Sequence, residues 1–217
     1  MTFQTIMSIL LAGLGMTAKI FVITLAGSLP LGLVIALARM SKFKILSWPA
    51  KFYISFLRGT PLMLQLMAIM FGPYYLFHLE LGTNWKFVAC CIGFILNYAA
   101  YFAEIYRSGI QSIPKGQHEA AAVLGYSKSQ TFFLIVLPQV IKRILPAMGN
   151  EIITLVKDTS LAFVLGIAEM FTQAKAIAAR EVSMLPYAIT ALIYWICCLL
   201  VEWLLSLGEK KMAYYHD

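Results

Sequence analysis

Apolar residues dominate this chain in long runs, and charges fall almost entirely between them. No charge occurs from Ile20 to Ala38, and Arg39, Lys42, Lys44 and Lys51 follow closely, which predicts a membrane span over 18–40. Thr60 can cap a helix that has Pro61 at its first position, where the missing amide proton costs nothing. That opens a second span over 60–80, in which Gly72 and Pro73 permit a kink. Lys86 introduces a third run, Phe87 to Ala103, ending at Glu104 and Arg107, so the third span is placed at 86–106. A fifth runs from Val182 to Val201, within 182–206, and is closed by Glu202. The fourth, over 144–170, is irregular. Pro146, Gly149, Asn150 and Glu151 interrupt it, and Lys157-Asp158 precede a shorter apolar stretch from Leu161 to Ala168. Polar backbone at membrane depth is tolerated where protein buries it or water lines it, so this segment reads as a broken helix facing a pathway. The pattern as a whole predicts an all-α integral membrane protein, one transmembrane domain over residues 1–217.

Composition excludes a water-facing globule. Of 217 residues 61% are hydrophobic and 12% charged, against about 25% charged in a soluble domain. The net charge of +7 does not point to nucleic acid, because the basic residues sit in the gaps between apolar runs rather than on one face of a polar domain. Most of them fall in connections on one side, among them Arg39, Lys42, Lys44, Lys51, Arg107, Lys115, Lys128, Lys142, Arg143, Lys210 and Lys211; Lys86, Lys175 and Arg180 fall on the other. The positive-inside rule makes the first side cytoplasmic, with the N-terminus outside and the C-terminus inside. Met1 to Thr17 lacks the basic start and cleavage pattern of a removable signal peptide. Cys90, Cys91, Cys197 and Cys198 have neither zinc nor disulfide spacing and are expected to pack. His78, His118 and His216 are isolated, no nucleophile and base stand together, and neither a metal site nor a catalytic residue is expected.

The longest hydrophilic connection, 107–143, has structure of its own. Gln117 to Leu124 favour a short helix that Gly125 can end in a left-handed cap. Ser127 and Gln130 form a capping box for a second helix, Lys128 to Leu137, which Pro138 is expected to disrupt. The physics alone fits either an interfacial hairpin or a docking element for a cytoplasmic partner. Here the residues become recognisable. Glu119-Ala120-Ala121, Leu124-Gly125, Ile135, Leu137-Pro138 and Pro146 resemble the EAA loop of permease subunits in bacterial ABC importers. Arg58-Gly59-Thr60-Pro61-Leu62, Ser112 to Gln117, Leu137-Pro138-Gln139, Gly149-Asn150-Glu151 and Lys157-Asp158-Thr159-Ser160-Leu161 narrow the resemblance to the polar amino acid uptake group, over about Gly13 to Glu209.

The resemblance implies a type I ABC importer permease fold with a cytoplasmic coupling helix, in the bacterial inner membrane. It also implies the partners: a second permease, identical or paralogous, a cytoplasmic ABC ATPase dimer, an extracytoplasmic substrate-binding protein, and an amino acid as cargo. The chain has no G-x-x-x-x-G-K-[ST], so no cofactor is expected on it, and ATP and Mg belong to the ATPase.

Two groups of site residues are expected. Glu119, Ala120, Ala121, Leu124 and Gly125 form the ATPase-coupling loop, with Glu119 either supporting its helix N-terminus through the dipole or pairing with a basic ATPase residue. For the substrate pathway, Asn97, Tyr101 and Glu104 share a helical face with Ser108, and Asn97 lies about 15 Å below the start of its run. Glu104 can instead pair with Arg107. Lys157 and Asp158, roughly 20 Å along the fourth span, can meet the carboxylate and ammonium of an amino acid, or form a structural salt bridge; Thr159 and Ser160 add donors. Arg58 reads as an interfacial anchor. The intramembrane charges and broken helix also fit a gradient-driven carrier or channel without an ATPase, a reading opposed by the EAA loop.

Overall fold

Small residues decide how the first helix packs. Helix α1 (Phe3–Met40) buries Gly13, Thr17, Ile20, Thr24, Ser28, Gly32 and Ala36, a stripe with steps of three and four residues. Helix α4 (Trp85–Gln111) lies along that stripe and runs in the same direction: Gly27 faces Ile95, and Gly32 faces Ala99, Phe102 and Ala103. Lipid is as apolar as leucine, so helices associate in a bilayer through close backbone approach, which small side chains allow. A Cβ on Gly32 would stand 2.9 Å from Phe102 Cβ and 3.0 Å from the Ala99 carbonyl oxygen.

These elements belong to a computed structural model that describes residues 1–82 and 84–212, with side chains described through Lys210. The Lys211 side chain and His216, both weighed above, lie outside the described residues. Every regular element among the described residues is helical. Helix α1 is longer than the expected 18–40, because nothing between Phe3 and Thr17 breaks a helix; its first turns carry Ile6 and Leu10 into a second core with Met170, Ala174 and Ile177.

Helices α2 (Lys44–Gly59) and α3 (Leu62–Phe77) meet at a bend of 109°. The bend sits at Thr60-Pro61, and α3 continues past Gly72 and Pro73. Thr60 is not the cap of α3. Its hydroxyl donates back to the Phe56 carbonyl at 2.9 Å, and the N-cap position of α3 is Pro61. The end of α2 is satisfied from the other side, where Gln65 Nε2 donates to the carbonyls of Leu57 (2.9 Å) and Thr60 (3.0 Å). Carbonyls at a helix end lack intrahelical partners, and a glutamine one turn into α3 supplies them.

After α5 (Lys115–Val123), the short α6 (Lys128–Gln130) opens with the expected Ser127–Gln130 capping box. It continues through a π-helical segment (Thr131–Val136) into α7 (Leu137–Asp158) without interruption. Pro138 therefore does not end a helix, and Pro146, Gly149, Asn150 and Glu151 do not break one. The wide π turn just before Pro138 shifts the hydrogen-bond register, so the residue without an amide proton falls at the start of the next α segment, where proline is tolerated. The departure from α geometry comes later, as a 3-10 segment (Thr159–Leu165) closed by Gly166 at φ +64°. Helix α8 (Met170–Glu181), unforeseen in the hydrophobic pattern, is capped by Glu169, whose carboxylate accepts from the amides of Phe171 (2.7 Å) and Thr172 (2.6 Å). Tyr194 of α9 (Leu185–Met212) donates to the same carboxylate at 3.2 Å, tying α8 to the last helix.

Four helical segments, including Lys128–Leu165, are long and apolar enough to cross a membrane, and the bent α2–α3 pair makes a fifth. Gln65 beside Asn97 and Trp85 beside Met70 set α3 antiparallel to α4. Ile144 beside Gly109 and Asp158 beside Tyr98 set α7 antiparallel to α4.

Candidate substrate pathway and coupling loop

A polar cavity of about 300 Å³ opens among the start of α3, α4 and α7, lined by Thr60, Pro61, Leu62, Asn97, Tyr98, Tyr101, Glu151, Thr154 and Asp158. Glu151 and Asp158 are seven residues apart, two turns of α7, and so share a face. Tyr98 is buried and donates its hydroxyl to Asp158 Oδ2 at 2.7 Å. The Arg58 guanidinium lies over the Tyr101 ring, 5.2 Å from its centroid; this is a cation–π contact at the cavity wall.

The structure divides the residues expected in the pathway. Asn97 lines the cavity, but its Nδ2 donates to the Leu57 carbonyl (3.2 Å) and to Gln65 Oε1 (3.0 Å), so its amide locks the α2–α3 bend to α4. Tyr101 and Asp158 line the cavity directly. Glu104 does not; it is ion-paired with Arg107. Lys157 and Asp158 form no direct salt bridge among the described residues, and they line different cavities. Consecutive helical residues point about 100° apart, and Lys157 turns instead into a second, largely apolar cavity of about 530 Å³ against α9, with Ser160, Tyr194, Trp195 and Cys198. Thr159 is fully buried and spends its hydroxyl on the Val156 carbonyl at 2.6 Å.

Tyr98, Glu151 and Thr154 line the cavity without being among the expected pathway residues, and Gln65 braces its wall. Two of them carried a readable signal: Glu151 stands two turns before Asp158, and Tyr98 stands three residues before Tyr101 on the cavity side of α4.

The connecting loop is built as the glycine predicts. Gly125 adopts φ +80°, its amide donates to the Ala122 carbonyl (3.1 Å), and the Tyr126 amide donates to Ala121 (3.0 Å). This is the Schellman pair of bonds that ends a helix on a left-handed residue. Ala121 is buried while Val123 and Leu124 are 88% and 74% exposed, leaving an apolar tip that this chain does not cover. Helix α5 begins at Lys115 rather than Gln117, which puts Glu119 beyond the first turn, too far along to support the N-terminal dipole. Glu119 is exposed and forms no hydrogen bond or ion pair among the described residues.

Four to five membrane-length spans, a two-carboxylate cavity among α3, α4 and α7, and an apolar-tipped loop helix fit a membrane permease. The chain belongs to the family of binding-protein-dependent transport system inner membrane components, which it matches over residues 28–214. It is thus a multi-pass inner-membrane protein, and membership implies partnership with a separate ATPase subunit and a substrate-binding protein. It is 45% identical to the probable amino-acid ABC transporter permease protein YckA of Bacillus subtilis (strain 168), over 94% of this chain and 88% of that protein. It is 38% identical to the L-cystine transport system permease protein TcyB of the same organism, over 98% and 90%. The crystal structure of an amino acid ABC transporter with histidines superposes with a TM-score of 0.86 at 36% identity, covering 97% of this chain and 99% of the other.

Proposed function

We propose that this chain is the membrane-spanning subunit of an ATP-driven importer of polar amino acids. It pairs with a second permease, identical or paralogous, and takes substrate from an extracytoplasmic binding protein. A cytoplasmic ABC ATPase dimer, which holds ATP and Mg, seats on the tip made by Glu119, Ala120, Ala121, Leu124 and Gly125. Nucleotide binding draws the paired loops together and opens the permeases outward; hydrolysis reverses the movement.

The observation that carries this reading is the cavity holding Asp158, Glu151 and Tyr98 among the spans. Ionisable groups at membrane depth are costly and mark ion or substrate routes. The ammonium group common to amino acids is the cation these carboxylates suit, Tyr98 orients Asp158 for it, and Tyr101 and Thr60 complete the wall. Lys157 and Ser160 face elsewhere, which takes them out of the contact set.

The test is uptake of labelled amino acids into proteoliposomes holding the permease with its ATPase and binding protein. ATP-dependent uptake is expected, lost in Asp158→Asn and Glu151→Gln while complex assembly persists. Uptake driven by an ion gradient through the permease alone would establish a secondary carrier instead.

A further inference from the structure

Two charged residues within the spans belong neither to the carboxylate cavity nor to the coupling loop: Lys157 on α7 and Glu202 on α9. Both are exposed, and neither forms an ion pair among the described residues. Lys157 lines the largely apolar cavity of about 530 Å³ between α7 and α9. On α9 the same cavity is lined by Ala191, Trp195 and Cys198, at steps of four and three residues, and a further step of four reaches Glu202. The glutamate therefore continues the face of α9 that borders the lysine's cavity.

Neither charge sits at a depth where lipid satisfies it. A Cβ on Gly149 would stand 3.5 Å from Leu205, and Lys157 shares its cavity with Cys198, so α7 and α9 run antiparallel with Gly149 and Leu205 level. Lys157 lies eight residues beyond Gly149, about 12 Å, and Glu202 three residues before Leu205, about 4.5 Å in the same direction. The lysine is thus at the level of the Asp158–Tyr98 contact, midway along α4, and the glutamate about 7 Å nearer the coupling loop. Unpaired charges at such depth are costly in hydrocarbon. Helical side chains lean toward their own N-terminus, which for α7 is the loop end and for α9 the opposite end, so Lys157 and Glu202 lean toward each other's level.

We propose that this face is the seam between two copies of the chain, with Lys157 of each ion-paired to the partner subunit's Glu202. This assignment rests on the two-permease reading above and adds which face meets and what holds it. A two-fold axis along the membrane normal keeps each residue at its own depth in both copies, and a lysine stem and a glutamate side chain together close the offset of about 7 Å. The face carries one charge of each sign, so it is self-complementary: the rotation that brings one lysine to a glutamate forms the second pair as well. Trp195, 60% exposed in the wall of the cavity, supplies an aromatic anchor for the seam.

The test uses the complete complex of permease, ATPase and binding protein, with two differently tagged copies of this chain coexpressed. One carries Lys157→Cys, the other Glu202→Cys, and both carry Cys197→Ser and Cys198→Ser. A short bis-methanethiosulfonate crosslinker should join the two tags in one product of twice the chain mass. Two copies per complex without that product, or crosslinking only within a single chain that carries both cysteines, overturns the seam and leaves the importer reading intact. A complex holding one copy of this chain overturns the seam too; beside a paralogue the two-permease reading stands, and alone it falls as well. Charge reversal gives a second measurement. Lys157→Glu and Glu202→Lys should each lower recovery of the two-copy complex by about tenfold or more, since each leaves a charge unpaired, and the double reversal should restore it. A double variant recovered no better than the single ones overturns the proposal.

Discussion

Tyr98 and Asp158 join α4 to α7, the tyrosine hydroxyl donating to Asp158 Oδ2 at 2.7 Å, with the tyrosine ring buried and the carboxylate facing the cavity. The bond fixes the carboxylate's direction without satisfying all its acceptor sites, leaving capacity for a bound cation. Tyr98→Phe keeps the ring and removes the donor. It should lower the thermal stability of the assembled complex by about 1.5 to 3 kcal/mol, the usual range for a hydrogen bond to a charged group, and weaken uptake through a higher substrate KM. Uptake indistinguishable from the parent would show that Asp158 needs no orientation.

Asn97 should behave differently from Asp158. Its amide donates to the Leu57 carbonyl and to Gln65 Oε1 at the bend; Gln65 still serves the carbonyl, so Asn97→Ala leaves the buried Gln65 Oε1 without its partner, at about 1 to 3 kcal/mol. The expected result is less folded protein and a lower melting temperature, with KM of the surviving transporter little changed. A raised KM at normal stability would return Asn97 to the substrate contacts.

At Gly125 a Cβ would meet nothing within 4 Å, and the only obstacle to a side chain is φ +80°. Gly125→Val therefore tests backbone conformation in isolation, at about 1 to 2 kcal/mol for a left-handed L-residue. The bundle should fold normally while transport is lost, and ATPase activity should no longer respond to loaded binding protein. Intact coupling in this variant would remove the loop turn from the mechanism.

Gly32 and Gly15 form a matched pair on α1. A methyl group at Gly32 meets Phe102 and the Ala99 carbonyl, whereas at Gly15 it meets nothing within 4 Å. Gly32→Ala should destabilise the protein by about 1 to 3 kcal/mol through overpacking, and Gly15→Ala should not, as measured by thermal unfolding in detergent.

The spans were legible because a bilayer demands long charge-free runs, and Gly125 and the Ser127–Gln130 box were legible because their chemistry is local. The irregular fourth span was misjudged for a physical reason. Pro138 looks like a break when an α-helix is the only alternative considered, but the π segment at Thr131–Val136 places it at the start of the next α segment, while Pro146 is carried inside α7. Thr60-Pro61 was read forwards as a cap, whereas the partner that satisfies the bend is Gln65, whose role depends on a turn no local pattern encodes. Lys157 and Asp158 are neighbours in sequence, but a helix points consecutive residues about 100° apart, so they line different cavities. Helices α2 and α8 were hidden for the opposite reason, being too short or too mixed in character to register as spans. The stripe of Gly13, Thr17, Thr24, Ser28 and Gly32 was present in the sequence, but its value appears only once α4 is laid against it.

A continuous helical run from Lys128 to Leu165 reaches from just after the Gly125 turn to the cavity. At 1.5 Å per residue, about 45 Å separates Lys128 from Asp158. In the proposed coupling, a displacement of the α5 tip reaches Glu151 and Asp158 along one continuous stretch of backbone rather than through a relay of side chains.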